Sequence, residues 1–173
     1  MQVWVAAPLA LAAVLAAVVS VSSWGGPQEE VPGDARIVFV CENGVAMSVW
    51  SASYFNRLAA ERGLSERAIS RASTPSYREV PLRMVFALAL DRYRLHGYRP
   101  RVIDASDARD ARLVVLIDAE LPETARDPGA ATEPWSGFPP MREQYFASRA
   151  ALAQRVEALI ERIAAARASR SLR

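Results

Sequence analysis

The 173-residue chain contains no lysine, a single cysteine and a single histidine. Each scarcity excludes chemistry. Without lysine there is no Walker-type phosphate loop and no Schiff-base amine. Cys41 alone permits neither an internal disulfide nor a multi-cysteine zinc site. His96 alone rules out zinc sites built on two or three histidines. No metal and no cofactor is expected. All 21 basic side chains are arginine, against 19 acidic ones, for a net charge of +2. So small an excess lacks the basic stripe of a nucleic-acid binder, and nucleic acid is not an expected partner. Apolar residues make up 51% of the chain, enough for one core, and the length fits one domain.

Charge is also absent from residues 1–28. The centre of this stretch, residues 6–21, is rich in Ala, Val and Leu and holds one proline, Pro8. Such a run reads as a signal peptide or as a membrane-spanning helix. No Arg or Lys precedes it. Val21 and Ser23 suit a signal peptidase cutting before Trp24. Residues 3–23 are equally long enough to cross a bilayer once and so to make the membrane a partner, with Trp24 at the interface. A misassigned start codon is the third reading. The expected location is the cell envelope or periplasm, exported or membrane-anchored, and the cytoplasm if the start is misassigned. The expected division is a signal peptide or anchor over 1–23, a linker over 24–35, a folded domain over 36–168 and a basic tail over 169–173.

Within the domain, residues 36–40 include Ile37-Val38-Phe39-Val40, the composition of a buried parallel strand. Residues 41–47 read as a compact loop. Ser48 stands where a helix N-cap should, before a helix over 49–62 that Gly63 closes. Residues 68–71 predict a second strand. Residues 81–95 predict an amphipathic helix with Leu82, Val85, Phe86, Ala89, Leu90 and Tyr93 on its apolar face. His96 at its end complements the helix dipole. Residues 113–117 predict another buried strand, and 127–140 a loop rich in Pro and Gly. The last helix, 141–168, carries Leu152, Val156, Leu159, Ile160 and Ile163 on one face. Strands alternating with helices predict an α/β fold: a three-layer sandwich with a short parallel sheet flanked by helices, behind the N-terminal hydrophobic segment.

The chemistry concentrates in Cys41-Glu42-Asn43-Gly44-Val45-Ala46-Met47-Ser48. A loop between a strand and a helix N-terminus gathers backbone N–H groups and partial positive charge, an anion site by construction. A cysteine at its start would lie beneath that site, and its thiolate is the reactive form. The apolar strand, the Cys, the Ser seven residues on and the helix running to Leu64 resemble the opening of low-molecular-weight phosphotyrosine phosphatases and the related arsenate reductases. Residues 70–74, Gly97-Tyr98-Arg99-Pro100-Arg101 and Trp135-Ser136-Gly137-Phe138-Pro139 resemble later parts of that family, so that the likeness spans about residues 36–165.

The resemblance implies roles for these positions. Cys41 falls on the nucleophile, and Ser48 on the hydroxyl that hydrogen-bonds the thiolate. Residues Glu42 to Met47 fall on the anion-binding loop. The family's loop arginine, which grips two phosphate oxygens, is Met47 in this chain, with neither donor nor charge. The family's general acid lies in a late Asp-Pro loop, yet no carboxylate stands between Trp135 and Pro140. Asp127, before Pro128, is the weak candidate for that acid; its other reading is a turn aspartate. Arg71 and Arg78 are candidates to replace the missing guanidinium. The leading expectation is a catalytically impaired phosphatase-like domain that retains binding of phosphate or a phosphorylated ligand. The alternatives are an active cysteine-dependent phosphatase for phosphotyrosine or small aryl phosphates, an arsenate reductase, and a structural tethered domain. A thioredoxin-coupled arsenate relay needs further cysteines that this chain lacks.

Overall fold

The computed structural model describes residues 36–171, apart from Pro75, Ser76, Arg94 and His96. The expectations for residues 1–23, for the linker and for His96 lie outside the described residues. Among the described residues, no helix is long and apolar enough to cross a membrane.

Strands β1 (Arg36–Cys41), β2 (Arg67–Ala72), β3 (Leu113–Ile117) and β4 (Thr132–Trp135) form one parallel sheet in the order β2-β1-β3-β4. Both faces of the sheet are covered. That is why β1 is a continuous apolar run rather than an alternating one. Ile37, Phe39 and Cys41, with Val115 and Ile117, join the core shared with helices α1 (Met47–Glu61), α2 (Leu82–Leu90) and α4 (Tyr145–Ser171). Val38 and Val40, with Ile69 and Val114, enter a smaller core shared with helix α3 (Ala105–Arg109) and a 3₁₀ turn over Glu123–Ala125. The fold is thus the α/β sandwich of helices around a parallel sheet that the sequence predicts. Phe39 sits at the centre of the larger core, its ring 6.0 Å from that of Phe55 and 5.7 Å from that of Trp135.

Several local expectations need correction. Helix α1 begins at Met47, so Ser48 lies inside it; the N-cap is Ala46, with no side-chain cap. Gly63 does close the helix. It holds φ +64°, and the N–H groups of Gly63 and Leu64 donate to the carbonyls of Ala60 and Ala59. Helix α2 is shorter than predicted and turns a different face inward. Met84 and Leu88 are buried, whereas Leu82, Phe86 and Leu90 are 74%, 71% and 69% exposed. Nearly every residue of α2 is apolar, so its spacing fits more than one face, and packing makes the choice. The predicted loop over 127–140 contains β4, whose Pro134 is tolerated because β4 is an edge strand. Helix α4 buries the five residues expected of it and continues to Ser171, past the predicted start of the tail.

Asp91, just past α2, joins the helical layer. Its carboxylate accepts from Trp50 Nε1 at 2.6 Å and from the Tyr145 hydroxyl at 2.8 Å, and pairs with Arg149 at 3.1 Å. Burial, and then the bond to Asp91, push the pKa of the Tyr145 phenol up. The start of α4 is thereby held against α1 and α2.

Candidate active site

In an open parallel sheet, ligands bind beyond the carboxyl ends of the strands, where the strand order reverses. Here that point lies between β1 and β3, whose connections lead to β2 on one side and to β4 on the other. The loop from Glu42 to Ala46 leaves β1 at this place and feeds α1.

The loop's carbonyls are tied down. Ser73 N–H donates to Cys41 O at 3.0 Å, Thr74 N–H to Glu42 O at 2.9 Å and Trp50 N–H to Ala46 O at 2.9 Å. The Tyr98 hydroxyl donates to Gly44 O at 2.7 Å. The N–H groups of residues 43–48, by contrast, have no hydrogen-bond acceptor among the described residues. A loop with its carbonyls fixed and its N–H groups free is a cradle for an anion. Gly44 makes the geometry attainable. Its φ is +64°, and a Cβ there would lie 3.0 Å from both Cβ and N of Ala72. Gly44→Ala is expected to cost about 1–3 kcal/mol of stability, measurable by thermal unfolding.

Cys41 is buried beneath the loop, and its Sγ shares a hydrogen bond with Ser48 Oγ at 3.0 Å. Ser70 Oγ donates to Ser48 Oγ at 2.9 Å. Ser48 accepts from Ser70, and its own proton is available to a thiolate at Cys41. The hydroxyl predicted to cap the helix therefore serves the thiol instead. Nothing in the sequence singles out Ser70 or Tyr98 as part of the site, although both lie in family-like segments, 70–74 and 97–101.

Above Cys41 opens a cavity of about 370 Å³. Glu42, Asn43, Val45, Ala46 and Met47 of the loop line it together with Tyr77, Met84, Met141, Arg83 and Arg142. The structure brings together every predicted loop residue except Gly44, whose carbonyl is turned to Tyr98. It does not bring Arg71, Arg78 or Asp127. Arg71 is paired with Val40 in the strand register and shares its face of the sheet, away from Cys41. There its guanidinium grips Asp107, at 2.7 Å and 3.0 Å. Arg78 lines a separate cavity with Thr74 and Arg101. Asp127 precedes β4 and so lies at the far end of the sheet, where its Oδ1 accepts from Gly129 N–H at 2.8 Å. It is the turn aspartate and not an acid for this cavity.

Asp118, just past β3, bonds to the late loop. Its two oxygens accept from Gly137 N–H at 2.9 Å and Phe138 N–H at 3.1 Å. Asp118 thus positions the loop of Gly137 and Phe138 through both its oxygens. Among the described residues, no group of acidic, histidine or cysteine side chains is arranged to hold a metal ion.

The family model for low molecular weight phosphotyrosine protein phosphatase matches residues 36–133, more than half of the chain. The chain belongs to this family. Solved structures of similar fold include a thioredoxin-dependent arsenate reductase of Corynebacterium glutamicum, with TM-score 0.61 and 17% identity over 80% of this chain. This chain spans 64% of that protein's length. An arsenate reductase in its phosphate-binding state gives TM-score 0.59 and 20% identity over 74% of this chain and 98% of the other. The tyrosine phosphatase Wzb of Escherichia coli K30, in complex with sulphate, gives TM-score 0.60 and 15% identity over 75% of this chain and 98% of the other. No curated protein matches the chain. Met47, which the resemblance sets at the place of the family's loop arginine, is the first residue of α1.

Proposed function

We propose that this member of the family binds an oxyanion, as phosphate or on a phosphorylated ligand, with phosphoryl transfer strongly reduced. The observation that carries the reading is the cradle: free N–H groups over residues 43–48 above a cysteine held by Ser48. The sulphate and phosphate held by the two structural neighbours support it. Reduced turnover rests on what the cavity lacks. Losing a preorganised charge-stabilising donor costs on the order of 10²–10³ in rate. Losing the general acid costs on the order of 10²–10⁴. Even without full additivity, most of the catalysis is gone.

A second reading, an active phosphatase for aryl phosphates, is favoured by the hydrogen-bonded chain Ser70–Ser48–Cys41. An aryl oxide of low pKa leaves without a proton donor, so p-nitrophenyl phosphate separates the two. The full chain is expected to turn it over at a rate lower by several orders of magnitude than an arginine-bearing relative, and Cys41→Ser is expected to remove what remains. A wild-type rate equal to that of such relatives would overturn the impaired reading. The apolar, charge-free residues 1–28 support a place at the cell envelope, and membrane fractionation of cells expressing the full chain tests it.

A further inference from the structure

An oxyanion bound in the cradle meets an electrostatic difficulty. Glu42 lines the cavity, a cysteine thiolate would lie beneath the anion, and Met47 offers no compensating charge. Backbone N–H groups and the end of α1 supply only partial charge. The cation has to come from elsewhere on the cavity wall.

Two arginines line that wall. Arg142 donates through Nε to Glu143 Oε1 at 2.8 Å, and Glu143 lines the same cavity, so this pair is internally neutral. Arg83 has no hydrogen-bond or ion-pair partner among the described residues. Its place is fixed on both sides: Pro81, the N-cap of α2, and Met84, buried in the core, line the cavity with it. Arg83 is exposed to solvent and lines the same cavity as Glu42, Asn43 and Met47 of the loop. We infer that Arg83 is the anion-clamping residue of this cavity, supplying from α2 the guanidinium that the loop lacks at Met47. The inference rests on the oxyanion-binding reading and assigns the charge to a different helix from the one that carries the family's arginine.

The test is the rise in melting temperature of the full chain with inorganic phosphate, titrated to an apparent dissociation constant. Arg83→Ala is expected to weaken phosphate binding roughly tenfold or more, the usual scale of a charged hydrogen bond. Arg83→Lys should retain part of the affinity, because a point charge remains without the planar fork. Arg78→Ala, in its separate cavity, should bind phosphate as wild type does. Met47→Arg should raise phosphate affinity more in Arg83→Ala than in wild type, a coupling that no merely structural role for Arg83 predicts. Phosphate stabilisation undiminished in Arg83→Ala would overturn the assignment while leaving oxyanion binding intact. A wild-type chain indifferent to phosphate would overturn the oxyanion reading, and Arg83's role with it.

Discussion

Met47→Arg is expected to raise kcat/KM for p-nitrophenyl phosphate by roughly 10²–10³, the value of one preorganised donor at the charge that develops in the transition state. Met47 is partly exposed, lines the cavity and opens α1, so an arginine there has room and aims its fork at the cradle. The cost is small by comparison. A cation at a helix N-terminus opposes the dipole by about 0.3–1 kcal/mol, against about 2.7–4 kcal/mol for the restored donor. Met47→Leu keeps the volume without the charge and should gain nothing. Met47→Arg with Cys41→Ser should be inert, because the nucleophile is gone. The gain should be confined to good leaving groups, since no general acid is restored. An inert Met47→Arg would mean that the loop no longer presents its N–H groups and thiol in a productive arrangement.

The strand, loop and helix around Cys41 are legible in sequence because they are local. Ile37 to Val40 has the composition of a buried strand, Gly44 marks the loop and Gly63 marks the helix end. The apolar face of α4 is legible because polar residues separate its buried positions. In α2 they do not, and Leu82, Phe86 and Leu90 are assigned to the core for want of contrast. The cavity's arginine is illegible for a different reason. Arg71 and Arg83 look alike in sequence, and what separates them is a partner 36 residues from Arg71. Ser48 is instructive in the same way: its sequence position predicts a helix cap, yet it lies inside α1. Only the fold brings Ser70 close enough to turn the Ser48 hydroxyl toward Cys41.

Asp107→Ala is expected to cost about 3–5 kcal/mol, because it leaves the Arg71 guanidinium buried without its counter-charge. The two side chains are 3% and 4% exposed, and the bond is bidentate. Arg71 Nη1 also donates to Ser70 O at 3.0 Å, and the pair binds α3 to β2 on the face away from Cys41. A loss of this size lowers the melting temperature on the order of 10 °C for a domain of this length. Replacing both partners should behave differently. Arg71→Met with Asp107→Leu removes two desolvated charges together, and such exchanges are neutral or stabilising by about 1–4 kcal/mol in well-packed sites. A double-mutant cycle measured by denaturant unfolding gives the coupling directly. The same double variant separates structure from function. If Arg71 serves only Asp107, its phosphate response and its rate on p-nitrophenyl phosphate equal those of wild type. A loss of either with the fold intact would return Arg71 to the site and remove the need for a guanidinium from Arg83.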